Sequence, residues 1–248
     1  MLELKNVGKS FADIQVLDDI TFSVKEGEFV SIIGPSGSGK STLFNILNGI
    51  TTQSMGEALF NGQSLSEKTR PFAYMPQKDT LFPWRTIEEN VLLPLQIQGV
   101  KKKASAEAVA AHFATFGLEG FEAAYPHQLS GGMRQRANLL RTYMTNKDIF
   151  LLDEPFGSLD AMTRQTLQDW LLDIWQTWGK TVLFITHDID EALYLSDRVI
   201  VLSNRPARVI RDMPIPLERP RRREIAVSES YNQLKLDLFQ LLGHLNKK

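Results

Sequence analysis

Gly34-Pro35-Ser36-Gly37-Ser38-Gly39-Lys40-Ser41 follows a short β-branched run, Phe29-Val30-Ser31-Ile32-Ile33, and leads into a stretch of helical character from about Lys40. The spacing is G-x-x-x-x-G-K-[ST]. Strand, glycine-rich loop and helix come in the order that a phosphate cradle requires. The glycines let backbone N–H groups turn inward and approach phosphate oxygens closely. The helix points its positive end at the same oxygens. Lys40 adds a mobile positive charge for the β and γ groups. Ser41 presents a hydroxyl oxygen to Mg²⁺, a hard cation that prefers oxygen ligands. A chance Gly/Ser-rich turn is the bland alternative, and the flanking strand and helix argue against it. By itself the loop indicates a nucleotide binder, since GTPases and kinases carry it too.

A second apolar run, Ile149-Phe150-Leu151-Leu152, ends in Asp153-Glu154. Carboxylates at the end of a buried strand are costly unless solvated, paired or metal-bound. Asp153 is the natural Mg²⁺ ligand, and Glu154 is then placed to polarise an attacking water. An acidic turn closing a strand is the alternative. A third segment, Leu129-Ser130-Gly131-Gly132-Met133-Arg134-Gln135, precedes a helix. Its hydroxyl, open N–H groups and helix N-terminus make a second anion site. Two phosphate-seeking elements in one chain point to two chains sharing each nucleotide. A serine-capped helix after a glycine turn would look the same in isolation.

Around these motifs the chain alternates strand and helix. Thr21–Val24, Thr181–Ile185 and Val199–Leu202 read as further strands, and Ala104–Phe116, Thr163–Trp178 and Asp190–Leu195 as helices. That order predicts a largely parallel sheet covered by helices, with a helical subdomain inserted at about 88–144. Residues 205–220 hold four prolines and read as an extended connector, opening a C-terminal extension of about 205–248. The tail forms an amphipathic helix with Leu234, Leu238, Leu241, Leu242 and Leu245 on one face and Ser230/Gln233 as capping box.

Composition sets outer limits. The 248 residues suffice for one domain with a substantial core. No cysteine is present, so disulfides, thiolate zinc sites and thiol nucleophiles are excluded. The net charge of −1 gives no basic field for nucleic acid, which is not expected as a partner. The start, Met1-Leu2-Glu3-Leu4-Lys5, lacks the basic-then-apolar plan of a signal peptide. No stretch approaches the roughly 20 apolar residues that cross a bilayer, so the chain is not expected to form a pore itself.

Taken in order, these motifs resemble the ATP-binding subunits of ABC transporters over nearly the whole length. Gly34–Thr42 is similar to the family's Walker A loop, Ile149–Glu154 to its Walker B strand and Leu129–Gln135 to its signature. Gln77, in Tyr74-Met75-Pro76-Gln77, matches the Q-loop. Ser158-Leu159-Asp160 matches the D-loop, and His187, in Ile185-Thr186-His187-Asp188, the switch histidine. Phe11 stands where the family sets an aromatic ring against adenine, with Val16 nearby. Taken alone, each of the last residues has a structural reading; their joint order carries the functional one. The helix after the signature departs from the family's small, alanine-rich pattern at Ala137–Tyr143.

The resemblance implies a single P-loop NTPase domain over 1–248, with an N-terminal antiparallel β subdomain and the helical insertion. It implies an ATPase with ATP and Mg²⁺ as cofactors, the metal held by Ser41, Gln77 and Asp153. Two copies would sandwich two ATP. Each would lie between Gly34, Pro35, Ser36, Gly37, Ser38, Gly39, Lys40, Ser41 and Thr42 of one chain and Ser130, Gly131, Gly132 and Met133 of the other. Asp160 would stand at that interface, and Glu154, His187 and Gln77 would do the catalytic work.

The implied partners are a second copy, integral membrane permease subunits and, indirectly, an extracytoplasmic substrate-binding protein. The chain would then sit peripherally on the cytoplasmic face of the membrane. Asp79–Thr86 is apolar for a loop and reads as an exposed contact surface. Phe82-Pro83-Trp84-Arg85-Thr86 and Arg219–Glu224 resemble the importer branch for nitrate, sulfonates, taurine and thiamine-precursor pyrimidines. The basic tail itself reads as a solvated charge run. Weighed against this are a non-transport ABC ATPase, an exporter module and a small-molecule P-loop kinase. The kinase gives no reason for Leu129–Gln135.

Overall fold

Phe29–Ile33 (β3) is the root of the molecule, buried at every position. The computed structural model describes residues 1–65 and 70–245, the side chains of 102–106 excepted. β3 lies between two parallel neighbours, Thr181–Ile185 (β8) and Arg198–Leu202 (β9). Ile149–Asp153 (β7) and Phe72–Met75 (β6) extend the sheet in parallel beyond β8. Val209–Pro214 (β10) closes the other edge, antiparallel to β9. β3, β7 and β8 are covered on both faces, which is why their sequences are continuous apolar runs rather than alternating ones.

Alternate side chains of this sheet feed two cores. Phe150 and Leu152 of β7, with Val182 and Phe184 of β8, join a cluster under the helical side. Ile149, Leu151, Leu183 and Ile185 join the cluster beneath the other face. That second core is roofed by a separate antiparallel sheet of Leu2–Phe11 (β1), Ile14–Val24 (β2), Met55–Phe60 (β4) and Gln63–Ser64 (β5), in the order β2-β1-β4-β5. Lys40–Asn48 (α1) packs there through Leu43, Phe44 and Leu47. This is the α/β architecture expected, with its parallel sheet, antiparallel β region and helical insertion.

The insertion comprises Ile87–Ile97 (α2), Lys102–Thr115 (α3) and Gly131–Tyr143 (α4). Thr86 and Glu89 form a reciprocal capping box that starts α2. Ala161–Trp178 (α5) follows β7. The larger residues after the signature have a packing role: Tyr143 stacks on Trp178 at 4.6 Å between ring centroids, and Trp178 stacks on Phe150 of β7 at 5.8 Å. An aromatic seam thus ties the insertion to the parallel sheet. Ile189–Leu195 (α6), Glu229–Leu245 (α7) and β10 enclose a third cluster, in which Leu238 is fully buried and Leu234, Leu241 and Leu242 pack around it.

Four expectations need correction. Residues 205–220 are not wholly an extended connector, because 209–214 form β10. The α7 cap is Ser228, whose Oγ accepts the Tyr231 N–H at 3.3 Å; Ser230 already lies inside the helix. Leu81 of the apolar loop is buried in the core rather than exposed. The basic tail is not a solvated run either. Arg221 is 5% exposed and donates to the carbonyls of Leu193, Tyr194, Ser196, Ile215 and Leu217. Arg219 pairs with Asp197 and Arg223 with Asp169. Burial pushes the Arg221 guanidinium down to about 10, with the Arg219 charge adding to the effect.

Candidate active site

The carboxyl ends of the parallel strands open on one edge, where open α/β sheets bind their ligands. From these ends come Gly34 after β3, Gln77 after β6, Glu154 after β7 and His187 after β8. They surround a cleft of about 590 Å³ lined by Ser36, Gly37, Gly39, Lys40, Ser41, Thr42, Gln77, Glu154, His187 and Arg205. That volume suits a small-molecule cofactor.

The loop 34–39 wraps the start of α1. Gly39 has φ +106°, and a Cβ there would stand 2.9 Å from Val16 Cγ1 and 2.8 Å from Leu17 Cδ2. Only glycine permits that backbone and that close approach of β2. Lys40 is buried, and its Nζ donates to the carbonyls of Gly34 at 2.9 Å and Pro35 at 3.0 Å. Burial draws the ammonium below its ordinary pKa, against the pull of Glu154 and Asp153. The Ser38 hydroxyl is buried with no hydrogen-bond partner among the described residues. A buried cation whose hydrogen bonds, among the described residues, go to carbonyls, beside an unpartnered hydroxyl, is matched to an anionic ligand.

Asp153 is buried, and desolvation raises its carboxyl above the usual range. Hydrogen bonds from Ser41 and Tyr74 oppose that rise, the Tyr74 hydroxyl lying 3.3 Å from Oδ2. Tyr74 is in turn pushed up to about 12, first by burial and then by the Asp153 charge. Ser41 and Asp153 thus present two oxygens at one spot, the donor set a hard divalent cation takes alongside phosphate oxygens. The residues present therefore fit Mg²⁺. Among the described residues no group of three or more His, Cys, Asp or Glu forms an alternative metal cage.

Glu154 holds the centre of the polar edge. Its Oε2 accepts from Gln77 Nε2 at 3.0 Å and stands 3.2 Å from His187 Nδ1. Its backbone has φ +46°, a left-handed conformation rare outside glycine. The turn is fixed by the Glu154 N–H to the Ile185 carbonyl at 3.0 Å and by Gly157 N–H to the Glu154 carbonyl at 3.2 Å. Three of the expected residues therefore meet on one carboxylate. Thr186, just before His187, donates to the buried Glu191 at 2.5 Å, and Gln168 donates to the other Glu191 oxygen at 2.9 Å. This network fixes the turn that carries His187. Glu191, Tyr74 and Arg205 were not singled out from sequence. Glu191 sits at a polar position of a helix start, and only tertiary packing distinguishes it.

The remaining expected residues lie outside this cleft. Ser130 caps α4, its Oγ accepting the Met133 N–H at 3.2 Å. Gly132 packs so closely on α5 that a Cβ would reach Thr163 Cγ2 at 2.9 Å, and Gly131 faces Leu159. Asp160 caps α5 by accepting from Thr163 N–H at 3.0 Å and Thr163 Oγ1 at 2.6 Å, which lowers its carboxyl pKa. Phe11 is 48% exposed with Lys9 Nζ 4.7 Å above its ring, while Val16 is buried against the phosphate loop. Within one chain, none of Ser130, Gly131, Gly132 and Met133 lines the cleft.

A family profile described as ABC transporter matches residues 17–157, which takes in the phosphate loop, the signature segment and Glu154. The chain belongs to the ABC transporter family as an ATP-binding subunit. An uncharacterized ABC transporter ATP-binding protein of Methanocaldococcus jannaschii is 45% identical, the match covering 90% of this chain and 85% of that protein. An aliphatic sulfonates import ATP-binding protein of Bacillus thuringiensis subsp. konkukian is 39% identical over 97% of this chain and 93% of its own length. A formylaminopyrimidine import ATP-binding protein of Halalkalibacterium halodurans is 42% identical over 92% and 90%. Among solved structures, the ATP-binding cassette MJ0796, as a dimer in a post-hydrolysis state bound to ADP and Pi, superimposes with a TM-score of 0.75 at 33% identity, covering 88% of this chain and all of that one.

The resemblance drawn from the motifs, including the importer branch, is therefore borne out. As an ABC ATP-binding subunit the chain is an ATPase whose hydrolysis is coupled to transport. Among the described residues no helix is long and apolar enough to cross a membrane.

Proposed function

We propose that two copies of this subunit sandwich two ATP and drive an importer for a small anion or organic solute. Each ATP would lie between Gly34–Thr42 of one copy and Ser130–Met133 of the second. The observation that carries this reading is the separation of the two anion-seeking elements. The cleft has the phosphate loop, Glu154 and His187, yet the capped N-terminus of α4 does not line it. A second chain would complete the site. Two solved cassettes that superimpose on this fold are dimers, one bound to ADP and Pi.

In this reading Phe11 and Val16 take the adenine side, and Asp160 faces the second copy. Lys40 exchanges its loop carbonyls for β and γ phosphate oxygens. Ser41, Asp153 and Gln77 would hold Mg²⁺, which supplies charge neutralisation on the phosphates when bound. Glu154 aligns a water through the oxygen that already gathers Gln77 and His187, and takes up its proton. His187 turns to the γ-phosphate and holds it in line. The left-handed backbone of Glu154 aims its carboxylate off the strand axis toward that water.

The importer role follows the named relatives, for sulfonates and for formylaminopyrimidine. The latter match supports a pyrimidine importer as the second reading. A permease would bind at the Phe82–Thr86 loop. Trp84 there is 71% exposed and packs on Phe82 at 5.2 Å, and the loop is held rigid by the buried Asn90, which hydrogen-bonds both N–H and C=O of Phe82. Such a partner would hold the subunit peripherally at the cytoplasmic face of the membrane and link it indirectly to an extracytoplasmic binding protein.

The decisive variant is Glu154→Gln. Turnover should fall at least ~100-fold through loss of water positioning, and gel filtration with ATP and Mg²⁺ should show a trapped dimer. Retained turnover in a protein that stays monomeric with ATP would remove both the assigned base and the shared site.

A further inference from the structure

Every parallel strand inward of β9 delivers a polar group to the cleft from its carboxyl end. β9 is parallel to β3 and ends at the same edge. Its contribution is Arg205. The guanidinium lines the phosphate cleft together with Lys40, Glu154 and His187. One amino group, Nη2, donates to the Gly37 carbonyl at 2.9 Å, on the outer turn of the phosphate loop. Among the described residues Arg205 has no carboxylate partner, so most of its fork of donors is free to meet an anion.

This arginine does not hang on a loose segment. The loop 203–208 is closed on itself by Ser203 N–H to the Arg208 carbonyl and Arg208 N–H to Ser203 Oγ, both at 2.9 Å. Ala207 N–H donates to the Val16 carbonyl at 2.9 Å, and its carbonyl accepts from Asp18 N–H at 2.8 Å. Arg208 Nε donates to Asp18 Oδ2 at 2.8 Å. The same stretch of β2 presses Val16 and Leu17 against Gly39. One rigid assembly thus fixes the phosphate loop, the Val16 strand and the Arg205 loop together.

We propose that Arg205 is a further nucleotide-binding residue, a second cation that contacts the polyphosphate of bound ATP from the β9 side while Lys40 contacts it from beneath. The Gly37 carbonyl holds the guanidinium ready at the cleft mouth, so little side-chain freedom is lost when phosphate arrives. Planar guanidinium groups suit this task because they donate two parallel hydrogen bonds to phosphate oxygens.

The inference rests on the ATP site described above, and its test separates the two. MgATP binding would be measured by calorimetry in the Glu154→Gln background, and KM and kcat in the otherwise unchanged chain, for Arg205→Ala and Arg205→Lys. Arg205→Ala should weaken MgATP binding and raise KM about tenfold, in the range of one charge-assisted hydrogen bond, with a smaller fall in kcat. Arg205→Lys should recover part of the loss, and nucleotide-free Tm should stay within about 2 °C in both. MgATP affinity within twofold of the parent would overturn the proposal. So would unchanged affinity with loss of the ATP-dependent dimer, which would assign Arg205 to the second copy instead. Failure of the parent chain to bind MgATP would overturn the ATP site itself, and this inference with it.

Discussion

Asp153 shows how a single carboxylate can serve the site at the expense of the fold. Desolvation raises its pKa above the ordinary value. The folded chain therefore holds that proton more tightly than the unfolded chain does. The stability this group contributes is fullest below the unfolded pKa and is lost as pH rises through the folded one. At neutral pH the ionised carboxylate burdens a nucleotide-free protein. Asp153→Asn should therefore raise the nucleotide-free Tm at pH 7 by about 2–4 °C, and the gain should shrink toward pH 4. Mg²⁺-dependent turnover should fall at least ~100-fold in the same variant. A Tm at or below that of the parent at pH 7 would contradict the desolvation account. The sequence announced Asp153 and Glu154, because two acids closing an apolar strand are conspicuous. It held no sign of the φ +46° at Glu154 or of Tyr74 beneath Asp153. The first depends on how the end of β7 meets β8 and the second on how β6 pairs with β7, registers no single segment encodes.

Among the elements, β3, β7 and β8 could be read because burial on both faces leaves an unbroken apolar run. The C-terminal region could be read only in part: its amphipathic helix was legible, its cap and its arginines were not. Ser228 and Ser230 both offer a capping hydroxyl, and only the helix start chooses between them. The run Arg219–Arg223 carries charge that, in sequence, signals solvent. In the fold, Arg221 is a bolt: its donors meet the carbonyls ending α6 and those of 215 and 217 beyond β10. No ordinary side chain satisfies as many acceptors in one plane. Arg221→Ala should cost at least about 3 kcal/mol, since several buried carbonyls lose their donor at once. Urea unfolding should show a lower midpoint with little change in slope. Arg221→Lys should restore less than half, an ammonium having three donors in another geometry. A variant as stable as the parent would mean that water replaces the guanidinium.

At the scale of the whole molecule, the proposed sandwich would divide one chemical task between the cleft of one copy and the α4 N-terminus of the other. Adding Ser130→Arg to the Glu154→Gln chain should leave MgATP binding to the monomer within about threefold, because Ser130 is outside the cleft. Gel filtration of the same protein with ATP should show no dimer, since a bulky cation would occupy the γ-phosphate's second set of donors. Loss of monomer binding would instead place Ser130 in the cis site. The family was legible from motif order alone, whereas the aromatic seam through Tyr143, Trp178 and Phe150 needed three distant segments brought together. The position of β3 has one more consequence. With parallel partners on both sides and every residue buried, its amides should be among the last to take up deuterium when the native protein is placed in heavy water. α2 and α3, farther from that centre, should exchange sooner. The phosphate loop grows directly out of this slow-exchanging strand, so a chain whose helical insertion has momentarily opened should still keep its grip on nucleotide.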